Sequence, residues 1–498
     1  ALQANTTAAN NTSVGRDSLS SNTTGAQNNA FGKNAMRDNT TGADNVAMGE
    51  NALLVNTTAS NNVAIGSNAL QQNTTGTENN AFGSGALDAN TTGDENNAVG
   101  RGALGANTTA DGNNAFGDDA LSLNVTGTGQ TAFGHRALQY STATDNTAMG
   151  HLAGDAATSA AGITVVGKSA GSAITTGGDN TGIGKQALKL TTTGTANTAV
   201  GKDALEANTT GQYNNAFGRG ALTANTTSTA NNAFGYNCLD ANTTGVNNCG
   251  FGHGALGTNT TASNNVAMGY LALYANTTGT QNVSFGSNAG DAITTGDNNT
   301  LIGHNSASAG TELTTGSENT IVGSNTATVN ATAGSQVVVG YGLTSYAAGW
   351  ITLGTGSLRT RVDGGATNWA GDSDERLKEN VQTSTAGLSF INDLRPVTFD
   401  WKKKKDIPTT LAAYKEGSEE RARPNSGTNN HGFIAQEIKT ALDNHSEVLD
   451  GHDLWQEDSA DGTQGVAPTA LIPMLVKALQ EADDKIDALT TRIEALEG

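Results

Sequence analysis

Through the first two thirds of the chain, large apolar residues recur one place before a glycine, and those glycines are almost evenly spaced. Twenty of them run from Gly15 to Gly340, 17 residues apart except for an interval of 16 between Gly134 and Gly150 and one of 20 between Gly303 and Gly323. The residue in front is Val14, Phe31, Met48, Ile65, Phe82 and so on to Val339, and eight of the 11 phenylalanines hold that place. Self-similarity at a short fixed period predicts a stacked, quasi-one-dimensional array. In the unit Asn73 to Ala89, Asn79–Phe82 reads as a short strand and Gly83 as a turn or close approach. Ala86-Leu87 opens a second short element, and Asn90-Thr91-Thr92-Gly93 is turn chemistry. The Asn, Thr and Gly that dominate each unit are poor helix formers, which excludes a helical repeat. Seventeen extended residues cover roughly 56 Å, enough for two short strands and two turns, and 20 rungs at about 4.8 Å make a rod on the order of 100 Å.

Each unit carries two consistently large apolar side chains, the one before the glycine and usually a leucine four residues after it. At ~25 cal/mol per Å² of buried surface, that is too little for a wide private core. Either the coil is very narrow, or several chains pool their apolar faces around one axis, and the second arrangement favours an intertwined oligomer. The units with Ala153-Gly154, Ala170-Gly171 and Ala289-Gly290 drop the leucine, so narrower or kinked rungs are expected there.

Composition narrows the picture further. A chain of 498 residues suggests about three domains, but a solenoid grows by rungs. The 26 basic and 46 acidic residues give a net charge of −20 without long acidic runs, and no basic face is visible in the repeats, so nucleic acid is not an expected partner. Cys238 and Cys249 read as replacements for small residues. No run of 18 apolar residues occurs, so no membrane span is expected. The chain starts at Ala1 inside a repeat, so an upstream part carrying targeting signals is expected. All five prolines follow residue 372, which marks a domain boundary because inner strands of a ladder reject proline. The expected organisation is mainly β: a shaft over 1–340, a β connector over 341–372, and a small α+β domain over 373–498 ending in a coiled-coil helix over 472–498.

Candidate chemistry is sparse. Gly162-Ile-Thr-Val-Val-Gly167-Lys168-Ser169 matches the phosphate-loop pattern, but its loop would be a β-branched run and no helix follows, so nucleotide binding is set aside. Twelve Asn-Thr-Thr triplets match a glycosylation sequon, and their recurrence at one turn per rung follows from turn geometry and side-chain ladders. The seven histidines lack zinc-site spacing and read as surface residues; no metal or cofactor is expected. Lys402 to Lys405 reads as a solvated hairpin end, and Pro408 to Asn430 as a protruding polar loop. Ile472, Leu475, Leu479, Ala482, Ile486, Leu489, Ile493 and Leu496 make a heptad seam whose a and d residues lean towards two strands. In Ser373-Asp-Glu-Arg-Leu-Lys378-Glu-Asn380, the serine stands five residues before a lysine. Taken alone, the segment is a helix N-cap with acids in its first turn; a lysine of lowered pKa is the chemical alternative, as base to a serine nucleophile.

Two resemblances extend this reading. Asn61-Asn-Val-Ala-Ile-Gly66 and Asn265-Val-Ala-Met-Gly269 resemble the head repeats of trimeric autotransporter adhesins, which implies a left-handed parallel β-roll shared by three chains, although the unit here is longer. The Asn-Thr-Thr-Gly style also resembles phage tail-fibre shafts. The Ser373 block resembles the start of the endosialidase-type intramolecular chaperone domain of tail fibres and tailspikes. The likeness continues through Leu394–Trp401, His431–Glu437 and Val466–Pro473. That resemblance implies trimer assembly followed by self-cleavage of the Asp372–Ser373 bond, with Ser373 as nucleophile and Lys378 as base. Ser373 Oγ would attack the carbonyl of the residue before it, proximity supplying much of the rate, and water would resolve the ester.

The leading expectation is therefore a homotrimeric tail fibre or tailspike of a virion, acting outside the cell. Its partners would be other tail proteins and a host-surface receptor, glycan among the candidates. The alternatives are a bacterial cell-surface trimeric adhesin and a glycan depolymerase.

Overall fold

The computed structural model describes residues 1–356, 358–363, 370–371, 381–411, 413–422, 428–448, 454–457 and 462–497. The chain divides into two compact units, Ala1–Asp372 and Ser373–Gly498.

The first unit is a β-solenoid of 20 turns. Each turn contributes one three-residue strand, from β1 (Thr12–Val14) through β19 (Thr320–Val322), and the longer β20 (Val337–Tyr341) closes the series. Every strand pairs in parallel with the next, equivalent residues facing each other, as in Asn80↔Asn97, Ala81↔Ala98 and Phe82↔Val99. The expected second element at Ala86-Leu87 is a run of turns instead. Leu87 sits there at φ 52°, a conformation that disfavours L residues by about 1–2 kcal/mol. Its side chain is fully buried, its N–H donates to Ala103 O at 3.0 Å and its carbonyl accepts from Asn90 N–H, and these contacts hold it.

The core distinguishes the two arrangements. The large residue before each glycine points outward: Phe31, Phe82 and Phe133 are 39%, 40% and 55% exposed. In a strand, alternate residues face opposite sides, and it is the small middle residue (Ala30, Ala81, Ala132) that faces in, with no exposure. Leu87 and Ala86 fill the remaining apolar space. The coil is narrow, with a core inside one chain, and its large apolar column is left on the outside.

Asparagine supplies the rest of the interior. One column, four residues before each glycine, is buried from Asn28 to Asn113; the Asn79 N–H donates to Asn62 Oδ1 at 2.9 Å and Asn79 Nδ2 donates to Gly93 O at 2.8 Å. The other column is the sequon asparagine, where Asn90 Nδ2 donates to Asn73 Oδ1 at 2.9 Å and to Gly93 O at 3.0 Å. Sequon asparagines from Asn22 to Asn276 are fully buried, which closes them to glycosylation. The first column is interrupted at Ile163, which has no amide, and at Gln130 and Gln336, where the longer amide leaves both its nitrogen and its oxygen without a partner.

The rungs that lack leucine keep their register: Thr147↔Thr164↔Thr181 and Val283↔Thr300 stay paired. Ile163, Val165 and Ile174, all fully buried, occupy the vacated space, Ile174 Cδ1 and Val165 Cγ1 each lying 2.8 Å from where a Cβ on Gly171 would stand. Ile163 and Val165 belong to the phosphate-loop lookalike, which is therefore core. Both irregular intervals are absorbed at corners, since Thr131↔Thr147 and Thr300↔Thr320 remain paired. After the last rung, β21 (Trp350–Thr355) pairs in parallel with β20, and β22 (Leu358–Asp363) returns antiparallel to it and pairs with β23 (Ala370–Gly371).

The second unit holds α1 (Leu388–Asp393), the pair β24 (Val397–Phe399) and β25 (Asn430–Gly432), α2 (Ala435–Asn444), the hairpin β26 (Trp455–Glu457) and β27 (Gln464–Val466), and α3 (Leu471–Glu497). Phe390, Ile438, Leu442, Leu454 and Leu471 form its core. No described helix is long and apolar enough to cross a membrane.

Candidate functional site

The second unit brings together blocks that are far apart in sequence. β24 and β25 pair antiparallel, Val397↔Gly432 and Phe399↔Asn430. Arg395, just before β24, forms a two-armed ion pair with Glu437 on the first turn of α2, its Nε 3.0 Å from Oε2 and its second nitrogen on Oε1. The segments Leu394–Trp401 and His431–Glu437 are thus one structural element. Three of the four lysines after Trp401 are answered by acids, Lys403 and Lys405 by Glu419 and Lys404 by Glu420. Hydrogen bonds from Lys403 and Lys405 hold the Glu419 carboxyl down to about 2. Two carboxylates thus offset part of the charge of the run.

His445 corrects the view of the histidines as surface groups. It is 7% exposed, edge-on to Phe390, and both ring nitrogens meet carboxylates: Nε2 lies 2.8 Å from Asp393 Oδ2, and Nδ1 lies 2.6 Å from Glu447 Oε1. The hydrogen bond to Asp393 and then that to Glu447 raise the imidazole pKa above its ordinary value. As an imidazolium donating on both sides, it ties the end of α1 to the end of α2. Its isolation in sequence from Asp393 hides the cluster from motif reading.

Helix α3 packs on α1, where the Leu388 N–H donates to Glu481 Oε2 at 2.8 Å. Along most of its length, however, the heptad seam is bare. Leu479 is 70% exposed, Leu496 80%, and Ile486, Leu489 and Ile493 lie between them. The shaft has a second bare apolar surface, the column of residues before each glycine, in which Phe217, Phe234 and Phe251 stack with ring centres 4.7 and 4.4 Å apart.

Asp372, Ser373 and Lys378 lie outside the described residues. Among the described residues no group of histidine, cysteine and acidic side chains could hold a metal ion. Burial raises the carboxyl pKa of Asp88, Asp155 and Asp240 in the shaft. These three follow Gly83, Gly150 and Gly235, four and five rungs apart, or roughly 19 and 24 Å at the strand spacing. Two carboxylates that cleave a glycan stand within about 10 Å of each other, a pairing these three do not make.

Residues 373–447 match the family model described as chaperone of endosialidase. No curated protein matches the chain. A solenoid joined to a segment that matches this model is an arrangement consistent with a fibre or tailspike-like protein.

Proposed function

We propose that this chain is a homotrimeric tail fibre or tailspike subunit, carried outside the cell on a virion, whose shaft presents a host-binding surface. Its C-terminal unit drives assembly, with other tail proteins as further partners. The observation that carries the reading is the bare apolar seam of α3, attached to a segment of the chaperone family and joined in one chain to a solenoid with its own bare apolar column. Two such surfaces on a polar chain of net charge −20 call for partner copies. A second copy of the shaft matches the spacing of that column along its whole length.

Assembly then precedes a single cut. Ser373 Oγ attacks the Asp372 carbonyl, Lys378 receives the hydroxyl proton and passes it to the peptide nitrogen, which leaves as the Ser373 amine, and water hydrolyses the resulting ester. The chain would act as a peptidase only on itself, and only once.

The test is to express wild type and Ser373→Ala and compare denaturing gels with the mass in solution. A trimer has a mass of about three times 50.3 kDa before cleavage, and a fragment running from Ser373 to Gly498 should appear from wild type alone. A single-chain mass for both proteins would refute the assembly; intact chains in both would refute the cut and leave assembly standing. Cys249 offers a second readout, because it lies half-buried on the strand face that bears the apolar column. In assembled shafts it should resist maleimide until denaturation. Cys238 is silent in the native protein, since burial raises its thiol to about 12.

A further inference from the structure

The position just after each repeat glycine forms another outward column, and in the middle of the shaft its chemistry changes. Lys168, Lys185, Lys202 and Arg219 occupy it on four consecutive rungs, all exposed. The strands of these rungs are hydrogen-bonded neighbours, so the cations stand about 4.8 Å apart along the stack. Tyr236, His253 and Tyr270 continue the column, stacked with ring centres 5.1 and 5.2 Å apart, and Arg219 lies 5.6 Å from the Tyr236 ring centre.

Elsewhere in this column cations are answered by acids: Arg16 pairs with Asp17, Lys33 with Glu50 and Arg101 with Asp118. Within the ladder Lys202 has Asp203 at 3.1 Å, while Lys168, Lys185 and Arg219 make no ion pair among the described residues. A run of neighbouring like charges, largely unpaired, on a chain of net charge −20 is self-repulsive and calls for a polyanion.

The aromatic end decides which polyanion. Single-stranded nucleic acid is bound by stacking bases on free aromatic faces. Here the faces are turned along the shaft, and the rings themselves and Arg219 cover all but the far face of Tyr270, so ring edges, tyrosine hydroxyls and imidazole nitrogens face outward. Those groups hydrogen-bond to hydroxyls. We propose that the column from Lys168 to Tyr270 is the binding site for a linear anionic polysaccharide, its carboxylates on the cations and its sugar hydroxyls on Tyr236, His253 and Tyr270. This inference deepens the reading of the shaft as a host-binding surface and rests on it.

The test uses the full chain, sized by light scattering, against polygalacturonate, hyaluronan, neutral dextran and a single-stranded oligothymidylate. Retardation by at least one acidic polysaccharide and not by dextran is expected. Lys168→Gln with Lys185→Gln should weaken that binding about tenfold or more, and Tyr236→Phe with Tyr270→Phe by several-fold, with unchanged hydrogen exchange of the shaft. Unaltered binding by the lysine variant, no binding to either acidic polymer, or tighter binding of the oligothymidylate would overturn the proposal. A trimer that binds neither polymer sinks the ladder and spares the fibre; a single-chain rod that binds does the reverse.

Discussion

Replacing Gly83 by alanine tests how tightly the rungs are stacked. Gly83 has φ +141°, and a Cβ built on it would lie 2.3 Å from the carbonyl oxygen and 2.6 Å from the carbonyl carbon of Gly100 in the next rung. Comfortable contact between carbon atoms begins near 3.5 Å, so about 1 Å of overlap must be relieved against backbone that cannot rotate away. If the dihedral is kept, the strain is about 1–3 kcal/mol. If the rungs part, bonds such as Gly83 N–H to Ile65 O (2.7 Å) and Gly100 N–H to Phe82 O (2.8 Å) lengthen, at roughly 1 kcal/mol each. Relief of the overlap takes both, so the summed loss is about 3–5 kcal/mol. Gly85, two residues on, is the internal control: its φ is +68°, nothing stands within 4 Å of its Cβ position, and Asn68 holds the equivalent place at φ 61°. Gly85→Asn should change stability by less than about 1 kcal/mol, in the stabilising direction. Because a solenoid unfolds rung by rung, amide hydrogen exchange across residues 65–105 is the appropriate measurement. A Gly83→Ala protein within about 1 kcal/mol of wild type, or a Gly85→Asn protein equally damaged, would refute such close stacking.

Two further predictions concern polar groups. Gln130→Asn should rejoin the inner amide column, its Nδ2 donating to Asn113 Oδ1 as Asn96 Nδ2 does to Asn79 Oδ1, raising local stability by about 1–3 kcal/mol; unchanged exchange protection over residues 113–146 would show that the column is dispensable. The His445 cluster makes the C-terminal unit pH-dependent. The imidazole pKa is raised, so its contribution is complete below the ordinary value of 6.5 and is lost as pH rises through the higher folded value. Glu447 is lowered by its bond to His445, so its share is present above 4.5 and is lost as pH falls through the lower folded value. The stability of this unit to heat should therefore be greatest between those limits and decline on either side. His445→Gln should flatten the alkaline decline, and an identical profile in the variant would show that the cluster does not set it.

The period, the parallel stacking and the leucine core were legible because few folds besides a solenoid place a glycine every 17 residues. Which side of the strand faces inward was not. Phe82 and Ala81 are adjacent, and ordinary hydrophobicity puts the phenylalanine inside; only the narrowness of a single-chain coil reverses that. The sequon asparagines were legible as turn residues with side-chain ladders; their full burial was not, since asparagine usually stands on an exposed turn, whereas here most of these amides bond to the copy in a neighbouring rung. In the C-terminal unit, the likeness of separate blocks anticipated that Leu394–Trp401 and His431–Glu437 belong together. The His445 cluster was invisible, because Asp393 reaches it from another helix.

The direction of the inter-rung hydrogen bonds has a mechanical consequence. They run along the stack, so a pull on the ends of the shaft loads the rungs in series, each bearing the full tension. Strength under load is then set by the weakest rung and gains nothing from length. The interruptions at Gln130 and Gln336, where a buried amide bonds to nothing, are where a stretched shaft should part first.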